Sequence, residues 1–523
     1  MGSESTEKTA SPSEPSHAGE DASTKEGSPS PEPDAKKDAS PEPSARAVRI
    51  ANGIIGVAIA LNLSQILFAS ARNRPALLLI LPAVFAALLA ASYKLLRPSR
   101  RVTLAFTLLP AILLIYGFEW KIARSRPYDG TMAERRGVKY DSRSLWEAIR
   151  DSRAEGHDAY PSFQPRALMV LNLKEGIEVK NEIQNHTLSP TWGVEIDGER
   201  VLPLGGISNK HIVYCNEGGK FAEYEADEHG FNNPKGIWAK DTIDVAMIGD
   251  SFTQAACVGQ DENTAHWIRQ KYPATLNLGM AGNGPLIELA TLEEYVAPRK
   301  PKIVIWTYYN NDMGDLDFEK NVPLLKRYLE EDGFSQKLEP RQAKIDAALA
   351  DLAGQIDKLA PRWPSGLGSV GLTRQASPMW LGDLVMNESH SATTAVLRLD
   401  RLTWALTSLA VVDVFNLPPD FPLFKRVMER AKKRVESWGG KLYFVYMADM
   451  FYLQYKGKRD HGNRAGVLSA VKELGIPLID AHPRFLEVED PMTIRFHPES
   501  HCNPGGYKLL SEIVLKGLET EAK

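Results

Sequence analysis

The sequence predicts an α/β protein whose main domain is a doubly wound, mostly parallel sheet, preceded by membrane-spanning helices. Three observations predict it. From about residue 240, short apolar runs alternate with helix-like stretches, which is the pattern of repeated strand, loop and helix. Each run is followed by small or polar residues, as strands are where α/β sheets bind ligands. Upstream, three apolar runs succeed one another, each close to the ~20 residues that span a bilayer.

The elements follow in chain order. Residues 1–47 are rich in Pro, Ser and Glu and hold no aromatic residue, so they cannot bury enough apolar surface to offset chain entropy and read as a disordered tail. The apolar runs 50–70, 75–96 and 102–120 read as three transmembrane helices within a region 48–120. With three spans, Arg46, Arg49, Lys94, Arg97, Arg100 and Arg101 share one side against Arg72, Arg74, Lys121, Arg124 and Arg126 on the other. The excess favours a cytoplasmic amino terminus and a carboxyl-terminal domain outside the membrane.

Residues 121–239 form a mixed lead-in whose second half alternates β-favouring runs with Gly and Asn turns. Asp227 and His229 read there as solvated turn residues. The main domain, 240–523, carries strands at 243–248, 274–278, 302–307, 441–447 and 476–480. Its third and fourth strands are separated by a helical insertion at about 313–437, long enough to form a lid.

At 523 residues the chain can build a sizeable core, and a formal net charge of -4 gives no reason to expect a nucleic-acid partner. Only Cys215, Cys257 and Cys502 occur, so neither a disulfide framework nor a zinc cluster is implied.

Polar residues gather at the strand ends. Gly249-Asp250-Ser251 follows the first strand, Gly279, Gly282 and Gly284 the second, Asn310-Asn311-Asp312 the third, and "FHPESHCNPGG" comes after the fifth. A serine, close-approach glycines, an asparagine amide and a histidine thereby converge on one sheet edge, which is the inventory of an acyl-transfer site. The serine needs a base, and histidine serves near neutral pH. The oxyanion needs fixed donors, which glycine N–H groups and an asparagine amide supply. Asn503 followed by Pro504 reads as a helix N-cap, placing His501 just ahead of a helix and favouring it over His497 as the base.

These blocks resemble the SGNH, or GDSL-type, serine hydrolases: "GDSF" at Ser251, "NLGMAG" at Gly282, "YNND" at Asn311, and "HCNPGGYKLLSEI" at His501, over roughly 225–523 apart from the insertion. The resemblance implies a flavodoxin-like, five-stranded parallel sheet. It assigns the nucleophile to Ser251, the base to His501, and the oxyanion hole to Ser251, Gly282 and Asn311. Two positions depart from the pattern. Tyr309 replaces a glycine, and Pro498 replaces the aspartate that usually orients the histidine, so Glu499 is the first choice for that carboxylate and Asp480 the second. Asp250, Asp312 and His497 are secondary candidates.

The implied activity is a membrane-anchored serine esterase or O-acyltransferase that acts on short acyl groups of cell-envelope or exported glycans, with no metal or organic cofactor. Alternatives are a lysophospholipase or thioesterase with a lipid substrate, or a catalytically silent binding protein of envelope-polysaccharide machinery. The expected location is a bacterial inner membrane, with the catalytic domain periplasmic or extracellular.

Overall fold

A computed structural model describes residues 42–70, 76–123, 133, 136–170, 192–359, 419–450, 453, 463–497 and 500–520. The expected tail up to residue 41, residues 360–418 of the insertion and Glu499 lie outside the described residues.

Three helices open the described chain: α1 Ala45–Ser70, α2 Ala76–Leu95 and α3 Pro98–Ala123. Helix α1 begins inside the stretch expected to be tail. By length and composition, Ala45–Ile66 and Pro98–Gly117 can each cross a membrane; the apolar stretch in α2 is shorter, Pro82–Leu95. The helices meet through Ile55, Ala58 and Leu89, packed against Tyr93 and Leu104. Their outer faces carry Val57, Phe85, Leu88, Phe106 and Leu114, all exposed, so the helices present an apolar exterior.

The lead-in holds β1 (Ala159–Pro161), β2 (Val194–Ile196), β3 (Glu199–Val201), β4 (His211–Val213) and β5 (Glu223–Glu225). Strands β1, β4 and β5 form one small sheet, in which β4 and β5 are an antiparallel hairpin; β2 and β3 form a second hairpin.

The main sheet contains β6 (Val245–Gly249), β7 (Thr275–Asn277), β8 (Ile303–Tyr308), β9 (Lys441–Tyr446) and β10 (Leu478–Asp480), matching the five expected strands. All neighbours are parallel and the order is β10-β9-β8-β6-β7. Numbered within the sheet this is 2-1-3-4-5 read from the β7 edge, the flavodoxin-like order, whose direction of winding reverses between β6 and β8.

The sheet is covered on both faces, so its strands are apolar throughout, with side chains alternating between two cores. Ala246, Ile248, Val304, Trp306 and Phe444 enter one core, and Val245, Met247, Ile305, Tyr443 and Val445 the other. The first core also takes in Trp146, Phe163, Ile196, Leu202 and Phe231 of the lead-in, so lead-in and sheet share one apolar interior.

Within the described residues, the insertion does not form the lid expected of it. Its helix Gln342–Leu359 buries Ile345, Leu349, Ala353 and Ile356 in that shared core. Polar contacts fix it there: Asp357 accepts from Arg150 Nε and Arg153 Nη1, each at 2.9 Å, and Asp346 accepts from the Ser208 N–H at 2.9 Å. Asp227, read as solvated, is fully buried; it accepts from the N–H groups of His229 and Phe231, from Asn233 Nδ2 and from Trp238 Nε1 at 2.7 to 2.9 Å. Burial pushes its carboxyl up to about 6 against these bonds. It pins a turn from inside.

Candidate functional site

The switch point between β6 and β8 opens directly onto Ser251. Strand β6 ends at Gly249, and the short helix Ser251–Gln254 starts at once because Asp250 caps it, its Oδ1 accepting from the Phe252 N–H at 2.8 Å. Ser251 therefore sits in the first turn of a helix, at the carboxyl end of a central strand.

His501 reaches the serine from the far end of the chain. The helix Pro504–Thr520 is capped by Asn503, whose Oδ1 accepts from the Gly506 N–H at 3.1 Å. Just before the cap, His501 Nε2 lies 2.9 Å from Ser251 Oγ. His497 is buried in the preceding turn, its N–H donating to Ser500 Oγ at 2.9 Å.

The carboxylate on the other ring nitrogen is Glu217, and this corrects the expectation of Glu499 or Asp480. Glu217 Oε1 lies 2.9 Å from His501 Nδ1, and Oε2 accepts from the His501 backbone N–H at 2.8 Å. Asp480 is occupied elsewhere, paired with Arg464 and accepting from the His482 N–H at 3.1 Å. Glu217 stands in the loop of the β4–β5 hairpin, so the lead-in completes a group whose other members belong to the main domain. Ser251, His501 and Glu217 are 3%, 7% and 2% exposed, so little water competes for their bonds.

A second correction concerns the cysteines. Cys215 and Cys257, 42 residues apart, form a disulfide, because the β4–β5 hairpin packs on the segment that follows the Ser251 helix. Cys502 is free and buried.

Electrostatics favour a charged ring. Burial opposes an imidazolium at His501, but Glu217, by charge and by hydrogen bond, and then Asp250 outweigh it and hold the ring above its ordinary value. Asp250 is itself pushed up to about 6 by burial, against its bond to the Phe252 N–H and the nearby His501. Its Oδ2 is also within 3.3 Å of Ser251 Oγ, a longer contact than the imidazole makes.

The remaining candidates flank the serine. The loop after β7 is tied to the nucleophile segment, with the Met280 N–H on Gly249 O at 3.2 Å and the Ala281 N–H on Gln254 Oε1 at 2.9 Å. Gly282 follows with φ +74°, a left-handed conformation that favours glycine. After β8, Asn311 immediately precedes the helix Asp312–Glu319; its Nδ2 donates to Asp315 Oδ2 at 2.7 Å, and Asp315 is in turn paired with the buried Arg166. Asp312 lies beneath, accepting from the Tyr309 N–H at 3.1 Å, and burial together with Glu288 and Asp250 drives its carboxyl well upward. Tyr309, where the motif has glycine, lays its ring 4.0 Å from Phe252, whose ring is 4.9 Å from that of His501.

Among the described residues, two groups could offer atoms to a cation. Glu217, Cys257 and His501 converge, but the Cys257 sulfur is in the disulfide and is no thiolate. His157, His211 and Glu225 converge on the small sheet, where both His211 nitrogens already meet carboxylates, Glu223 and Glu225, at 2.8 Å.

No family model and no curated protein matches the chain. Solved structures are similar to it, two of them as follows. One is an alpha/beta hydrolase enzyme from the metagenome of Lake Arreo, Spain, at 11% identity and a TM-score of 0.29, covering 55% of this chain and 98% of that one. The other is a two-domain esterase active on acetylated mannans, co-crystallized with mannopentaose, at 11% identity and a TM-score of 0.25, covering 54% of this chain and 50% of that one.

Proposed function

We propose that the chain is a membrane-anchored serine esterase or O-acyltransferase of the SGNH type. The observation that carries this reading is the continuous relay from Glu217 through His501 to Ser251, with both ring contacts at 2.9 Å. Nucleophile, base and orienting carboxylate are in hydrogen-bond reach before any substrate arrives.

In the reaction, Ser251 Oγ attacks the acyl carbon while its proton passes to His501 Nε2. The imidazolium, stabilised by Glu217, then gives that proton to the leaving alkoxide, and acyl-serine remains. Water or a sugar hydroxyl attacks the acyl-serine, His501 takes its proton, and as the tetrahedral intermediate collapses the His501 imidazolium returns that proton to the departing Ser251 Oγ. The Ser251 and Gly282 N–H groups and the Asn311 amide are the proposed oxyanion donors. Asp315 holds one Asn311 amide proton and leaves the other for the oxyanion.

Three spans, a cytoplasmic amino terminus and an extracytoplasmic catalytic domain remain the proposed topology. A disulfide in the site accords with an oxidising compartment. The proposed substrates are short acyl esters, acetyl above all, on envelope or exported glycans. Glu217 also weighs against a silent binding role, since it gives His501 the carboxylate partner that the base needs.

The test uses the full chain in detergent, intact and as Ser251→Ala, with a fluorophosphonate probe and p-nitrophenyl esters of increasing length. Labelling and acetyl-ester hydrolysis that vanish in the variant support the reading. Failure of the intact, folded chain to label would sink it, and a rate that rises with acyl length would redirect it to a lysophospholipase or thioesterase.

A further inference from the structure

We propose that the Cys215–Cys257 disulfide is a positioning element of this site: it holds the hairpin loop carrying Glu217 against the segment carrying Ser251, so that turnover follows the oxidation state of the pair. This rests on the serine-hydrolase reading.

The argument is one of connectivity. Cys215 closes the β4–β5 loop, its carbonyl accepting from the Ala222 N–H at 2.9 Å, and Glu217 stands two residues further on. At the tip of this loop the hydrogen bonds other than those of Glu217 run to the segment before it, while at its base Tyr214 Oη donates to Gln254 Oε1 of the main domain at 2.9 Å. Asn216 Nδ2 donates to Asp141 O at 2.9 Å, and the Asp141 N–H donates to Gly219 O at 2.7 Å. The loop meets the main domain through the disulfide, the two Glu217 bonds to His501, the Tyr214 bond to Gln254, an apolar cluster of Tyr214 and Cys215 with Ala256, Cys257 and Ala281, and a close approach at Gly218, where a Cβ would lie 2.8 Å from the Phe496 ring. Of these links the disulfide is the covalent one and meets the loop only two residues before Glu217, whereas the Tyr214 bond anchors its base.

The other end of the disulfide is equally specific. Cys257 lies six residues after Ser251, in a stretch where Ala255 and Cys257 both adopt φ +65°. Left-handed backbone at non-glycine residues persists only where the surroundings impose it. Here the disulfide holds Cys257, and Tyr507 Oη donates to Ala256 O at 3.2 Å. One covalent link therefore ties the acid-bearing loop to the constrained turn behind the nucleophile. A misplacement of ~1 Å in such a site costs on the order of 10²-fold in rate.

A dithiol can reverse the link, because Cys215 is only half-buried whereas Cys257 is buried. Dithiothreitol thiolate attacks a sulfur of the pair, the Sγ–Sγ bond breaks, and two thiols form. The reagent supplies two electrons and two protons and closes to its own cyclic disulfide.

The experiment compares the full chain in detergent as the untreated protein, as protein reduced by dithiothreitol and then freed of it, and as Cys215→Ala/Cys257→Ala. All are assayed on p-nitrophenyl acetate below their thermal midpoints, and the fluorophosphonate labelling rate is followed in parallel. The expected result is a fall in kcat of about 10- to 100-fold with KM within about threefold. The same comparison in the Glu217→Gln background separates positioning from general stability, since residues acting through one another are non-additive. There, removing the disulfide should change the labelling rate by less than about twofold. Unchanged kcat on reduction, or an equal loss in the Glu217→Gln background, overturns the proposal. If the oxidised wild type does not label at all, the hydrolase reading fails by itself. The positioning is then read from the low-field proton resonance of the His501 Nδ1–H bond, identified by its loss in His501→Ala: it should disappear on reduction, and its persistence would refute the inference.

Discussion

Replacing Glu217 by Gln is the most informative single substitution. The two carboxylate oxygens serve two donors, His501 Nδ1–H at 2.9 Å and the His501 backbone N–H at 2.8 Å. An amide offers one acceptor oxygen and one NH2, so at least one of those donors would face another donor. With Glu217 and His501 buried, no solvent would repair the mismatch. A hydrogen bond to a charged group is worth ~1.5–3 kcal/mol, and the imidazolium formed during acylation would also lose its counter-charge. Together these give a fall in kcat of about 10²- to 10⁴-fold, or ~2.7–5.5 kcal/mol of barrier.

The pH profile carries its own signature. The imidazole must be neutral to accept the serine proton, so activity rises as pH passes the His501 value, which stands above its ordinary 6.5. Without the Glu217 charge, burial meets less opposition and the value falls. The acid limb of kcat/KM should therefore move to lower pH in Glu217→Gln, while Glu499→Gln should leave both rate and limb in place. Steady-state kinetics from pH 5 to 9 decide. A Glu217→Gln variant within threefold of wild type, with an unmoved limb, would refute the assignment.

Asn311→Ala should lower kcat by about 10²- to 10³-fold with KM little changed, as loss of an oxyanion donor does. Asp315→Ala, which frees the Asn311 amide, should cost about tenfold in kcat, and steady-state kinetics on acetyl esters check both. For Asp250 the sign runs against neutral pH. Its carboxyl is near 6 folded against an ordinary 3.8, so the folded chain holds the proton longer and stability declines as pH rises from about 4 to about 6. Asp250→Asn keeps a cap and removes the buried charge, so it should raise stability at pH 7 by about 1–3 kcal/mol and flatten that decline, read from thermal unfolding between pH 4 and 8.

Much of this was legible from patterning. Apolar runs bounded by turn residues located all five strands of the main sheet, because a strand covered on both faces has no polar alternation to disguise it. Ser251, His501 and Asn503 stood out because each adjoins a strand end or a helix cap, where local sequence dictates geometry. Glu217 did not, because its place depends on a hairpin folding back across the main domain, a contact with no local signature. The clue lay in "CNEGG": an acid beside a cysteine in a Gly-Gly turn, with a second cysteine six residues after the serine. Helix Gln342–Leu359 shows the same boundary of inference. Its sequence reads as part of a helical insertion, and nothing local in it shows that it would pack against the lead-in.

That the acid comes from the lead-in gives the site the logic of a coincidence detector. Chain order is acid, nucleophile, base, spread over residues 217 to 501, and the first member resides in a different sheet from the second. During synthesis the serine would emerge beside its acid but without its base until almost the last helix has left the ribosome. A piece beginning at residue 240 would contain every motif by which such a hydrolase is recognised and still lack a third of its relay.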